Sequence, residues 1–338
     1  MNKILAGIAA TLLVAGAAMG APKPPLKLVA KYKMPADVQG RFDHLAADVA
    51  GNRLFLAAES AHQVLVFNLH TGKYLRAIPN IEIPHAIFVR PALDRIYVTD
   101  GGAGEVRIFN TRTYRQIGAV KLKVDSDSIG YDAATHDLYV VNGGGDAHES
   151  YSMLSVVNTT SDAKVADIRI EGATLEAMAL AEYSPLLYQN NPSKNLIDVV
   201  NRETRKVVAT WPVTLCQHNV AMALDESTHR LFTACRSGAI VVFDTQTGKE
   251  MLLLKIPVGV DDLIFDPATK RLYASCWGDG GQIAVYHEDD PDHYSLLGMV
   301  PTGRGGKNEV LVPQMHRLFV TIPPAEAAPG EVYVYRVQ

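Results

Sequence analysis

Seven copies of one degenerate unit run through this chain and constrain its fold more than any other feature. Each copy carries a strand of the type Arg-Leu-Tyr-Val, centred on Leu54, Ile96, Leu138, Leu187, Leu231, Leu272 and Leu318, at spacings of 42, 42, 49, 44, 41 and 46 residues. About ten residues later comes a second alternating strand, as in Val64-Leu-Val-Phe67, Val106-Arg-Ile-Phe109, Ile240-Val-Val-Phe243 and Val332-Tyr-Val-Tyr335. A period of roughly 40–45 residues made of short β-branched and aromatic runs marks the four-stranded blades of a propeller. Helical repeats would show a 3.6-residue pattern, which is absent.

The first copy spells out a whole blade. Phe42 to Asp48 reads as an innermost strand, Arg53 to Ala58 as the second, Gln63 to Leu69 as the third and Tyr74 to Ile78 as the outer strand. Turns rich in Asn and Asp separate them, because those side chains hydrogen-bond the backbone two residues on. The seventh copy has only three strands, ending in Glu331 to Val337. An orphan strand, Leu26 to Lys33, precedes the first copy. The expected architecture is therefore all-β: a seven-bladed β-propeller closed by the N-terminal strand, which supplies the outer strand of the last blade and leaves no sheet edge open.

Residues 1–20 stand apart from the repeats. Lys3, the apolar run Ile4 to Val14 and the small residues Ala18 and Gly20 read as a cleaved secretory signal peptide, too short and Gly-broken for a membrane span. The remainder, 21–338, reads as one exported domain, periplasmic or secreted. Loss of Lys3 leaves 31 basic against 36 acidic side chains, a net charge of −5. That balance, with no cluster of Lys and Arg, argues against nucleic acid as a partner. Three cysteines would then meet an oxidising compartment. A Cys216–Cys235 disulfide that leaves Cys276 over, a soft-metal site built from all three thiols, and three buried free thiols all fit. No Cys-x-x-Cys-His occurs, which excludes covalently attached haem.

The repeats, with Arg-Ile-Tyr-Val-Thr-Asp (95–100), Asp-Leu-Tyr-Val-Val-Asn (137–142) and Arg-Leu-Phe-Val-Thr (317–321), resemble the YVTN β-propeller repeat family, and the exported single-domain layout is similar to the YncE-like proteins of that group. The resemblance covers about residues 26–338 and implies the fold. The motif records blade packing and no chemistry. Propellers that the resemblance brings into view include metal-dependent lactonases, a streptogramin lyase and one DNA binder.

Chemistry in a propeller is sought where inner strands begin and second strands end, since both converge on the central channel. The heads of the inner strands supply His44, His85, Asp127, Glu176, His218, Asp261 with Asp262, and Asn308 with Glu309. The ends of the second strands supply Glu59, Asp100, Asn142, Asn190 with Asn191, Cys235, Cys276 and Thr321. Of these, His44, Glu59, His85, Asp100, Asp127, Asn142, Glu176, Asn190, His218 and Asp262 are the candidate ligand-binding set. His44, His85 and His218 with Glu176 would suit a divalent ion such as Zn²⁺, Mn²⁺ or Cu²⁺. Glu176, Asn142 and Asp262 alone would suit Ca²⁺. The same groups could equally cap strand ends and hold water.

The glycine-rich segments Gly143 to Tyr151 and Trp277 to Gly281 lack the strand-to-helix context of a phosphate loop, so no nucleotide cofactor is expected. The first segment reads as a mobile lid or a loop that tolerates length. Two functions follow. One is a binding propeller that holds a small molecule, metal ion or protein partner at its polar face. The other is a metal-dependent hydrolase or lyase in which His44, His85 or His218 moves a proton.

Overall fold

The computed structural model describes residues 23–325 and 328–338. The proposed signal peptide lies outside the described residues. Among the described residues twenty-eight strands form seven four-stranded antiparallel sheets arranged as the blades of a ring, with only short 3₁₀ turns besides. Blades one to six occupy residues 45–79, 84–121, 129–171, 178–212, 219–255 and 260–301. Blade seven combines Glu309–Val312, Arg317–Ile322 and Glu331–Val337 with the N-terminal strand Leu26–Lys33, which pairs antiparallel with the C-terminal strand. The ring is thus sewn shut by the two ends of the chain.

The repeat motif explains why the blades stack. Side chains alternate across a strand, so in Arg53–Ala58 Leu54 and Leu56 face blade seven while Phe55 and Ala57 face blade two. The pattern recurs around the ring, giving seven buried apolar clusters, one at each contact between neighbouring blades. In the closing cluster Tyr32 and Met34, contributed by the start of the chain, pack with Leu54, Phe319 and Val332. Some tyrosine tips reach polar partners in the neighbouring blade, as where the Tyr97 hydroxyl donates to Asp162 Oδ1 at 2.7 Å. The turn residues act as expected: Asp132 Oδ1 accepts the Ala134 N–H at 2.9 Å, and Asn110 Oδ1 accepts that of Thr113 at 2.9 Å.

The cysteines resolve into one disulfide, Cys216–Cys235, with Cα atoms 6.0 Å apart, and one buried free thiol, Cys276. A three-thiol metal site is therefore ruled out, since two of the sulfurs are spent on each other. The Gly143–Tyr151 segment, read as mobile, is tied down: Gly145 N–H donates to Ala173 O at 2.8 Å, and Lys123 binds both Glu149 and the Tyr151 hydroxyl.

Removing residues 26–34 strips the closing strand and exposes both the edge of the C-terminal strand and the apolar face under Tyr32. The unfolding midpoint of this truncation is expected to fall by about 10 °C or more. Calorimetry showing an unchanged midpoint would contradict closure by this strand.

Candidate functional site

One irregularity repeats at the head of six of the seven inner strands. In blade one Asp43 N–H donates to Ala57 O while Ala57 N–H donates to His44 O, so two consecutive residues face one on the second strand. Asp127 and Ser128 stand in the same way against Val141, and Glu176 and Ala177 against Asn190. Register shifts place His85 with Ala86, Val220 with Ala221, and Asp261 with Asp262 in equivalent bulges. In blade seven Thr321 N–H donates to Asn308 O. A bulge of this kind breaks the alternation of a strand and re-aims side chains.

The register defines a ring of equivalent positions, one per blade: Asp43, His85, Asp127, Glu176, Val220, Asp261 and Lys307. These positions follow the repeat spacings of 42, 42, 49, 44, 41 and 46 residues. The next residue in each blade gives a second ring: His44, Ala86, Ser128, Ala177, Ala221, Asp262 and Asn308. Six of the seven members of the first ring are ionisable. With His44, Glu59 and Arg236 they surround a cavity of about 170 Å³ at the channel mouth.

Charges alternate through this cluster. Asp43 Oδ2 meets His85 Nδ1 at 2.6 Å, and Asp43 Oδ1 lies 3.5 Å from His44 Nε2, whose other ring nitrogen lies 3.2 Å from Asp262 Oδ1. Across the channel Asp261 accepts from Lys307 at 2.5 Å, Arg236 at 2.8 Å and Asn308 at 3.0 Å. Burial works against the charged imidazole of His85, yet the carboxylates of Asp127 and Asp43 hold its pKa at about 9. His44 is likewise held well above the ordinary imidazole value, against burial, by Asp262 and Asp43. Asp43 is itself driven down despite burial by His44 and His85. Glu176 moves the other way: burial, reinforced by the charge of Asp127, lifts its carboxyl to about 8. Ligand oxygens or nitrogens of Asp43, His44 and Asp127 lie within 4.8 Å of one another, close enough to share a cation.

The expected site residues separate into two groups. His44, Glu59, His85, Asp127 and Glu176 line the cavity, and Asp262 supports it through His44. Asp100 is instead enclosed in its own blade, accepting the N–H groups of Glu82 and Ile83 at 2.9 Å and the Arg107 guanidinium at 2.7 Å. Asn142 donates to Ser155 Oγ and Val140 O. Asn190 joins blades four and five, accepting from Asn219 and Thr233. His218 lies outside the ring. It sits two residues before Val220, which takes blade five's axial position, and is exposed in a shallow cleft beside Glu176 and Arg236.

Five charged residues that line the cavity were absent from the candidate ligand-binding set: Arg41, Asp43, Arg236, Asp261 and Lys307. Stepping from His85 by the repeat spacings reaches Asp43 in one direction and Lys307 in the other. Arg236 carries no such signal, since it follows the second strand of blade five.

No family model matches the chain. Sequence comparison finds the "Uncharacterized protein YncE" of Salmonella typhi and of Salmonella typhimurium, each 28% identical over 115 residues, which is 34% of this chain and 32% of the relative. The match thus spans about a third of the length of these curated relatives. Among solved structures, a chain of Kuenenia stuttgartiensis hydrazine synthase superposes with a TM-score of 0.68 at 16% identity, covering 84% of this chain and 94% of its own. A chain of the mitotic checkpoint complex gives 0.76 at 12% identity, covering 99% of each. The RRP9 WD40 repeats give 0.74 at 10% identity, covering 94% of this chain and 100% of theirs. At such identities these likenesses establish the propeller fold alone.

The ring makes stability depend on pH. His85 binds its proton more tightly folded than unfolded, so its stabilisation is complete below about pH 6.5 and is lost as pH rises through about 9. Glu176 acts in the same direction: above about pH 4.5 the unfolded chain gives up a proton that the folded carboxyl keeps until about 8. The unfolding midpoint should therefore fall steadily from pH 6 to pH 9, and Glu176→Gln should flatten the part below pH 8. A midpoint that rises over this range contradicts these assignments.

Proposed function

We propose that this protein is an exported binding propeller whose ligand is a small polar molecule seated in the channel-mouth ring. The observation that carries the reading is the composition of the first ring. Val220 occupies one of its seven positions, so the bulge accepts an apolar side chain, yet the other six are ionisable and enclose a cavity. Burying such groups costs stability that packing would not require, and titratable groups with displaced pKa values gathered in one hollow mark functional sites. Export is supported by the signal-like residues 1–20 and the Cys216–Cys235 disulfide, a bond that persists in oxidising compartments. Among the described residues no helix is long and apolar enough to cross a membrane.

A second reading, a divalent cation, is favoured by the close approach of Asp43, His44 and Asp127. His44 would have to release a proton to ligate, so affinity would rise with pH. Hydrolysis of a lactone or ester belongs to this second reading only. A panel of amino acids, dicarboxylates, polyamines and Mn²⁺, Zn²⁺ or Ca²⁺, followed by thermal shift, separates the two. The main reading expects an organic compound to raise the midpoint of the native protein and not that of Asp127→Asn. Stabilisation by a cation alone, stronger at pH 8 than at pH 6, establishes the second reading. A panel in which nothing distinguishes the native protein from the variant refutes both.

A further inference from the structure

Beside the ring, over blades five to seven and the start of blade one, lies a larger pocket of about 510 Å³. Its lining includes Arg41, Arg236, Arg304 and Lys307 around Trp277, and among the described residues it holds no carboxylate. That is a marked local inversion in a chain of net charge −4. The carboxylates that pair with three of these cations touch them from outside the pocket's lining: Asp261 binds Arg236 and Lys307, and Glu59 binds Arg41.

Trp277 is held in place by a built feature. Gly259, with φ +78°, lies against the indole so closely that a Cβ there would come within 2.2 Å of its ring atoms. The Arg236 guanidinium lies 5.7 Å from the ring centroid and the Lys307 ammonium 5.9 Å. Those distances fall within cation–π range. Even so, the indole remains 38% exposed.

We propose that this pocket is a second binding site, for a small organic anion that lays a planar ring on Trp277 and directs a carboxylate or phosphate at Arg304, Arg236 and Lys307. Guanidinium groups present paired N–H donors that match such oxygens. An exposed indole offers a flat apolar face that water solvates poorly. The volume lies in the ordinary range for sites that take small molecules. This pocket adjoins the ring cavity and differs from it. Arg304 and Trp277 line this pocket and not the ring cavity, whereas Asp127 and His85 line the ring cavity and not this pocket.

The chain has two tryptophans, so Trp211→Phe leaves the fluorescence of Trp277 alone. Titration of that variant with phenyl phosphate and with benzoate should give a saturable change for at least one of them. Arg304→Gln in the same background should weaken binding about tenfold or more, the effect of losing a charge-assisted hydrogen bond. By calorimetry, methyl phosphate and acetate should bind at least about fivefold more weakly than their aryl counterparts, and Trp277→Leu should erase that preference. Asp127→Asn should leave aryl binding unchanged. No saturable change with either probe, equal affinity in Arg304→Gln, or equal affinity of the methyl compounds each overturns the proposal. Loss of binding in Asp127→Asn overturns it too, by moving the ligand into the ring.

Discussion

Along a β-strand successive side chains point to opposite faces, so a regular inner strand can offer the axis only every second residue. The extra residue at the head of six inner strands changes that limit, because two neighbours oppose one partner and the alternation of side chains is broken there. Everything distinctive about the polar face depends on this pairing. It puts Asp43 and His44 side by side, and it does the same for Asp261 and Asp262. It lets an acid of one blade meet an imidazole of the next, as Asp43 does with His85.

The cluster so formed is internally compensated and still unusual. Two imidazoles, a lysine and two arginines face five carboxylates in a partly enclosed space, and the balance is struck by shifting protons. Asp43 holds its charge because His44 and His85 hold theirs, while Glu176, buried and beside the charge of Asp127, keeps its proton up to about pH 8. A ligand entering the ring must exchange with these internal partners. Binding is therefore expected to be selective for charge pattern rather than for bulk. The neighbouring basic pocket shares Arg41, Arg236 and Lys307 with the ring, and Arg304 and Trp277 belong to that pocket alone.

The fold was legible because the packing is periodic. Arg53–Ala58, Arg317–Ile322, Glu331–Val337 and Leu26–Lys33 occupy the residues that the alternation indicates. The inner strand of blade one starts at Leu45 and not at Phe42, since the bulge interrupts the ladder there. The same irregularity obscured the site. His44 and His85 look equivalent as the polar residues nearest each strand head, but the extra residue makes Asp43 the true counterpart of His85. His218 looked axial for the same reason, although Val220 occupies that place. Asp100 and Asn142 end their strands as expected, yet their side chains turn inward to satisfy loop N–H groups and neighbouring polar atoms. A sequence pattern cannot distinguish that use from display toward the channel.

The central claim is that bulged strand heads bring acids and imidazoles into one coupled ring, and His85 reports on it directly. Long-range ¹⁵N–¹H NMR of the imidazole nitrogens, assigned with His85→Gln, reads its protonation state. The account predicts that His85 is doubly protonated at pH 7.5 and titrates near pH 9. A neutral His85 ring at pH 7.5, titrating near the ordinary value of 6.5, would contradict it.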